Sequence, residues 1–197
     1  MYVNKTNAQI DNLVNLSTDW VRSGARNAAT DAADISVYNP AGLTKLENGL
    51  HINLGNQFVF RKPNHQYDIG LGEGARSFEQ QSSDPLLPNI YISYKKNKWA
   101  LFTGAFVSGG GATVDYSKGS ITTDLIGMQA LMGAQGAYMM VKDPSLKASS
   151  FYMTTTLGGT YAFNDKVSFA AAGRYISAKN TMEAGMTLTS SPYDLED

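Results

Sequence analysis

The sequence predicts an all-β membrane protein, part of an antiparallel transmembrane β-barrel preceded by a small helical N-terminal plug. Three observations predict it. From Leu50 onward apolar residues recur with period two, as in strands that carry one apolar face. Short and long connections alternate between those strands, the pattern of short turns on one side of a membrane and long loops on the other. Before the first strand, the segment Gly24 to Leu46 is crowded with small residues that let backbone pack closely in a confined space. Residues 1–48 are assigned to the plug, and 49–197 to strands and external loops.

Composition narrows the function classes. At 197 residues there is room for one domain. A formal charge of −1 offers no basic surface for nucleic acid and no acidic tail, so no nucleic-acid partner is expected. No window approaches the roughly 18 uninterrupted apolar residues of a membrane-spanning helix, so a membrane assignment rests on strands. The mean hydropathy of −0.24 agrees, because alternating lipid-facing and lumen-facing residues average to a value that looks soluble. Cysteine is absent, which removes disulfides, thiolate metal sites and a cysteine nucleophile. The amino terminus, MYVNKTNAQIDNLVN, has no positive n-region, apolar h-region or small-residue cleavage site, so no signal peptide is expected in this stretch.

The plug comes first along the chain. Ile10, Leu13, Val14, Leu16, Trp20 and Val21 recur at near-helical spacing, with Ser17 or Thr18 placed to cap a helix running through Ala25. Asp31 and Asp34 are too loosely spaced for a calcium loop and are expected to cap turns. Asn39-Pro40-Ala41-Gly42 follows, with Asn as a preferred N-cap and Pro at the first helical position.

Strands follow. In the first, Leu50, Ile52, Leu54, Phe58 and Phe60 share a face, and His51, Asn53, Gly55, Gln57 and Val59 share the other, with Asn56 interrupting the apolar side. A polar connection, Arg61 to Pro85, leads to a hairpin of Pro88–Tyr94 and Trp99–Ser108 about the turn Lys95 to Lys98. A second hairpin places Phe151, Met153, Thr155, Leu157, Gly159, Tyr161 and Phe163 outside, turns at Asn164-Asp165-Lys166, and continues the outer face through Val167, Phe169, Ala171, Gly173 and Tyr175. Thr154, Thr156, Thr160, Ser168 and Arg174 point the other way. Tyr94, Trp99, Phe151, Tyr161 and Phe163 fall toward strand ends, where aromatic girdles form.

The excursion over 110–150 is the part most suited to meet a ligand. Ser120 to Asp124 offers caps, and the apolar, Met-rich run beyond it suits a flexible acyl chain better than a shaped polar ligand. The ligand-binding candidates are Met128, Leu131, Met132 and Met139, with Phe102 and Phe106 on the Trp99–Ser108 strand. No catalytic constellation emerges. His51 and His65, the only histidines, lie in a strand and a polar loop without metal or triad spacing. Gly70 to Gly74 lacks the strand-to-helix setting of a phosphate loop and reads as an external loop. No enzyme activity, metal or cofactor is expected.

Gly24-Ala25, Asp31, Asp34, Tyr38, Asn39-Pro40-Ala41-Gly42-Leu43 and Gly49 at the head of an alternating strand occur in the order seen in one family. Over about Ser17 to Phe60, the chain resembles the N-terminal hatch of FadL-type outer-membrane long-chain fatty-acid transporters, relatives that carry toluene and other hydrocarbons included. The resemblance implies location in a bacterial outer membrane among its lipids, a monomer when full length, and passive transport of long-chain fatty acids or other hydrophobic compounds. External loops would collect the amphipath, and a hatch held by Asn39, Pro40 and Ala41 would shift to release it. Replacing Asn39 is expected to loosen that hatch. About five strands follow the plug, too few to close a barrel around it. The chain is therefore read as the N-terminal portion of a longer transporter. A rival of another class is an outer-membrane adhesin or structural barrel that binds a protein through its external loops.

Overall fold

The computed structural model describes residues 17–68, 74–80 and 82–190. The expected helical prefix before Ser17, the glycine-rich loop up to Glu73 and the final SPYDLED lie outside the described residues. Strands dominate: β1 (Gly49–Arg61), β2 (Asn64–Tyr67), β3 (Arg76–Glu79), β4 (Ser82–Lys96), β5 (Trp99–Tyr116), β6 (Met140–Ala162) and β7 (Ser168–Thr189). Five form one sheet in the order β1-β4-β5-β6-β7, and β2 pairs with β3 in a separate antiparallel ladder. The fold is thus mostly antiparallel β, and among the described residues the five-stranded sheet does not close on itself.

The β4–β5 register runs from Asn89 opposite Phe106 to Lys96 opposite Trp99. The turn is therefore the pair Asn97-Lys98. Asn97 adopts φ 53, a left-handed conformation that Asn tolerates, and its N–H donates to the Asn48 side chain at 2.7 Å. Between β6 and β7 the Asn164 side-chain oxygen accepts from the Lys166 and Val167 N–H groups, both at 2.9 Å, and so builds the turn itself.

The long connections differ from the sequence reading. Arg61 to Pro85 is not a bare loop, because it holds the β2–β3 ladder and the start of β4. The 110–150 excursion shrinks from both sides, since β5 runs on to Tyr116 and β6 starts at Met140. What remains holds α3 (Ile121–Gly133), whose Ser120 N-cap and Thr123 form a reciprocal capping box. Gly127 costs this helix propensity, yet a methyl group there would come within 2.7 Å of Val141; the glycine permits the helix to lie against β6.

The described chain forms two compact units. The first gathers residues up to Phe58 with Asp84–Ala112 and Ser150–Lys179. Here the N-terminal segment expected to form the plug comprises α1 (Thr18–Ser23), α2 (Ile35–Tyr38) and a 3₁₀ turn, Pro40–Lys45. Its apolar side packs on the sheet in two clusters: Ile35, Leu43 and Leu46 on Ala100 and Phe102, and Ala33 with Val37 on Tyr91 and Phe106. Gly158 of β6 makes room for that packing, because a side chain there would collide with the Phe102 ring and the Ala171 carbonyl. The second unit gathers Val59–Ser83, Thr113–Ser149 and the described residues from Asn180. Its core is small, Phe78, Tyr116 and Leu146 with Val114 and Ile121 beside them, and the Arg76–Asp124 ion pair ties β3 to α3.

Candidate functional site

The site is the face of the first unit's sheet that meets the plug. Arg26, 4 % exposed, is its electrostatic centre. Its Nε and Nη2 donate to the two oxygens of buried Asp34 at 3.0 and 2.7 Å, and Nη1 and Nη2 donate to Asp31 at 3.1 and 2.6 Å. Such a two-fold fork is the geometry in which a guanidinium recognises carboxylates. Ser17 completes the knot: its hydroxyl donates to Asp34 at 2.5 Å, accepts from the Trp20 N–H to cap α1, and its own N–H reaches the Tyr38 hydroxyl. Burial alone would lower the Arg26 pKa, but the hydrogen bonds and charges of Asp31 and Asp34 outweigh it and raise it. The Arg26 hydrogen bond holds Asp31 below the usual carboxylate value, and burial raises Tyr38.

Polar anchors join this knot to the strands. Asn53 of β1 donates to Asp19 at 2.6 Å, and the Ser168 hydroxyl of β7 donates to the Ala41 carbonyl at 3.2 Å. The sheet's inner face supplies buried Asn89, Ser93, Thr154, Thr156 and Thr160 beside the aromatic Tyr91, Phe102 and Phe106. Thr154 donates to Ser108 at 2.5 Å, and Thr160 to the Phe169 carbonyl at 2.9 Å.

The opposite face is apolar and bare. On the first unit's part of β1, Leu50, Ile52, Leu54 and Phe58 are each 60 % or more exposed, as the alternation predicts. Leu101, Leu157 and Phe169 continue that face. Near the two short turns the aromatics gather: Tyr94 with Trp99 at 5.9 Å between centroids, Tyr161 with Phe163 at 5.3 Å and Phe163 with Phe169 at 5.2 Å. Trp99, Tyr161, Phe163 and Phe169 line a shallow groove of about 730 Å³ together with Leu101 and Gly159.

Each residue singled out from sequence has a definite place. Asn39 does not cap with its side chain. It works through backbone, donating to the Ile35 carbonyl at 2.7 Å and accepting from Gly42 at 2.9 Å, because α2 ends on the residue where the 3₁₀ turn begins. Pro40 takes the first position of that turn as expected. Ala41 holds through its carbonyl, which accepts from both Thr44 and Ser168. Asp34 stands at the N-cap of α2 without capping it, since its carboxylate serves Arg26 instead. Phe102 and Phe106 are brought together beneath the plug in the first unit. Met128 and Leu131, half-buried, and exposed Met132 share α3, and exposed Met139 precedes β6, all in the second unit. The sequence reading missed Arg26. Its signal was present: an arginine near the start of a small-residue segment destined for burial, with Asp31 and Asp34 just downstream.

Comparison with family models, curated proteins and solved structures finds no match to this chain.

Proposed function

We propose that this chain belongs to an outer-membrane β-barrel that passes hydrophobic compounds, long-chain fatty acids foremost, by diffusion past a plug formed by the N-terminal segment. One observation carries the reading: in the first unit the exposed face is apolar and the covered face is rich in buried polar groups. Water would reverse that arrangement, because a half-covered antiparallel sheet in solution buries its apolar side. Lipid demands it. Two features accompany it. The outward run on β6 from Phe151 to Tyr161 is of the length, roughly 9–11 residues, that a strand needs to cross a hydrocarbon core. The aromatic cluster at the short turns lies where interfacial rings anchor a barrel.

The plug then blocks an interior whose wall alternates aromatic rings with hydroxyl and amide groups. Expression from the full reading frame in a strain lacking endogenous fatty-acid transport tests the reading. Uptake of a fluorescent long-chain fatty acid, together with heat-modifiable migration of the outer-membrane protein, is the expected result. A folded, surface-exposed barrel that adds no uptake and instead retains a protein ligand on its loops would favour the adhesin class.

A further inference from the structure

The two short turns of the first unit gather lysines beside an apolar recess. Lys95, Lys96 and Lys98 border the β4–β5 turn, Lys166 lies in the β6–β7 turn, and Lys45 ends the 3₁₀ turn of the N-terminal segment. These three places meet. The Lys45 Nζ donates to the Asp165 carbonyl at 2.5 Å, the Asn48 side chain accepts from the Lys95 Nζ at 3.3 Å, and the Ala162 N–H donates to the Lys98 carbonyl at 2.7 Å. Five lysines thus share one end of the unit with two acids, Glu47 and Asp165, an excess of three positive charges. Lys96, Lys98 and Lys166 are exposed and, among the described residues, make no ion pair. Lys96 stands opposite Trp99 in the β4–β5 register, so the two share the outer face. The 730 Å³ groove begins there. Its floor is low because Gly159 and Ala171 are small where Trp99, Tyr161, Phe163 and Phe169 around them are rings. A methyl group at Gly159 would reach only Leu101, at 3.4 Å, and the Ala100 carbonyl, at 3.7 Å, so the recess is open space rather than a close approach of backbone.

We infer that this rim binds a phospholipid with an anionic headgroup, whose phosphate sits among the lysines of the short turns and whose acyl chain fills the groove below them. A lysine lays its apolar stem along greasy surface and keeps its ammonium in the headgroup layer, and each one near an anionic lipid surface adds attraction. A zwitterionic headgroup carries its own cation beside the phosphate and gains less. The charge excess therefore selects an anionic occupant, and the ring-walled groove, continuous with bare Leu101, selects one with an acyl chain. The inference rests on the membrane reading above and names the lipid that this end of the protein takes.

Trp99 lines the groove and reports its occupant. The full-length protein is folded into phosphatidylcholine vesicles that contain either brominated phosphatidylglycerol or brominated phosphatidylcholine, lipids with the same chains and different headgroup charge. A Trp99→Phe variant run in parallel isolates the quenching that belongs to Trp99. Phosphatidylglycerol is expected to bind beside Trp99 about fivefold more strongly than phosphatidylcholine, the effect of one lysine at an anionic lipid. Lys96→Gln combined with Lys166→Gln should bring that ratio close to one. Gly159→Leu fills the groove floor with every lysine in place, and it should lower the ratio too, since the headgroup is held only where its chain has a seat. Equal quenching by the two lipids in the wild type, or a ratio that either variant leaves untouched, would overturn the inference and leave the membrane reading standing. Quenching of Trp99 by neither lipid would overturn the membrane reading and this inference with it. The wild-type lipids alone can overturn the proposal, so a variant that fails to fold does not spoil the test.

Discussion

The two faces of the sheet in the first unit are built on opposite rules. Outward, Leu50, Leu54, Leu101 and Leu157 stand exposed in an almost unbroken apolar surface. Inward, Asn89, Ser93, Thr154 and Thr160 are buried beside Tyr91 and Phe106 under a segment pinned by an Arg–Asp–Asp knot. The outer face needs no protein partner if lipid is its solvent. The inner face holds its cover by specific polar contacts as much as by apolar area, and such contacts are directional and therefore breakable one at a time. The contrast teaches that burial in this molecule follows location relative to the sheet, not hydrophobicity.

The sharpest way to break the inner side is Arg26→Ala. It leaves Asp34 buried without a counter-charge, at a cost of about 3–5 kcal/mol. Proteolysis of the folded protein should then release the plug segment while the strands stay protected. An unchanged cleavage pattern would mean that the plug is held by its apolar clusters alone.

The outer side is tested by Leu157→Arg, at a position 69 % exposed. In water such a change would be close to neutral. Against lipid it should cost about 2–4 kcal/mol near the bilayer midplane, read as a loss of folding free energy into vesicles. A neutral outcome there would take the apolar face out of the membrane and sink the comparison.

A smaller effect concerns acid. Asp31 has a folded pKa below the ordinary carboxylate value, so its bond to Arg26 contributes fully above about pH 4 and is lost as the pH falls through the depressed value. Release of the plug to protease should therefore increase on acidification below about pH 4, and Asp31→Asn should blunt that rise. Because Asp31 is 69 % exposed, the change should be modest beside that of Arg26→Ala.

The smallest effect belongs to Asn39→Ala. The side chain makes no cap, and the backbone bonds that join α2 to the 3₁₀ turn survive the substitution, so stability should change by no more than about 0.5 kcal/mol. A loss of a full cap's worth, about 1 kcal/mol or more in denaturant titration, would restore the side-chain role that the motif suggests.

Local chemistry was legible wherever the decisive forces were local. The faces of β1 follow from alternation, because period two is a property of the extended backbone itself. Ser120 announces α3, and Asn97 and Asn164 announce their turns, since each side chain bonds groups within a few residues of itself. Asn39 misled for a related reason. A motif read in isolation assigns its side chain to the helix that follows, whereas α2 ends directly on it and leaves only backbone bonds to make. The strand lengths of β5 and β6 were under-read, because glycines, Pro144 and charges near their far ends resemble loop composition while pairing with a neighbour keeps the chain extended.

By itself the sequence determined the β class, the two faces, the short turns and a compact small-residue segment ahead of the first strand, all consequences of backbone periodicity and nearest-neighbour bonding. Only the tertiary structure decided which plug residues lie on Phe102 and Phe106, and that the Ala41 carbonyl takes the Ser168 hydroxyl. Those are meetings between residues remote along the chain or in different elements, set by the order in which strands pair and by where the plug comes to rest, and no local pattern carries that information.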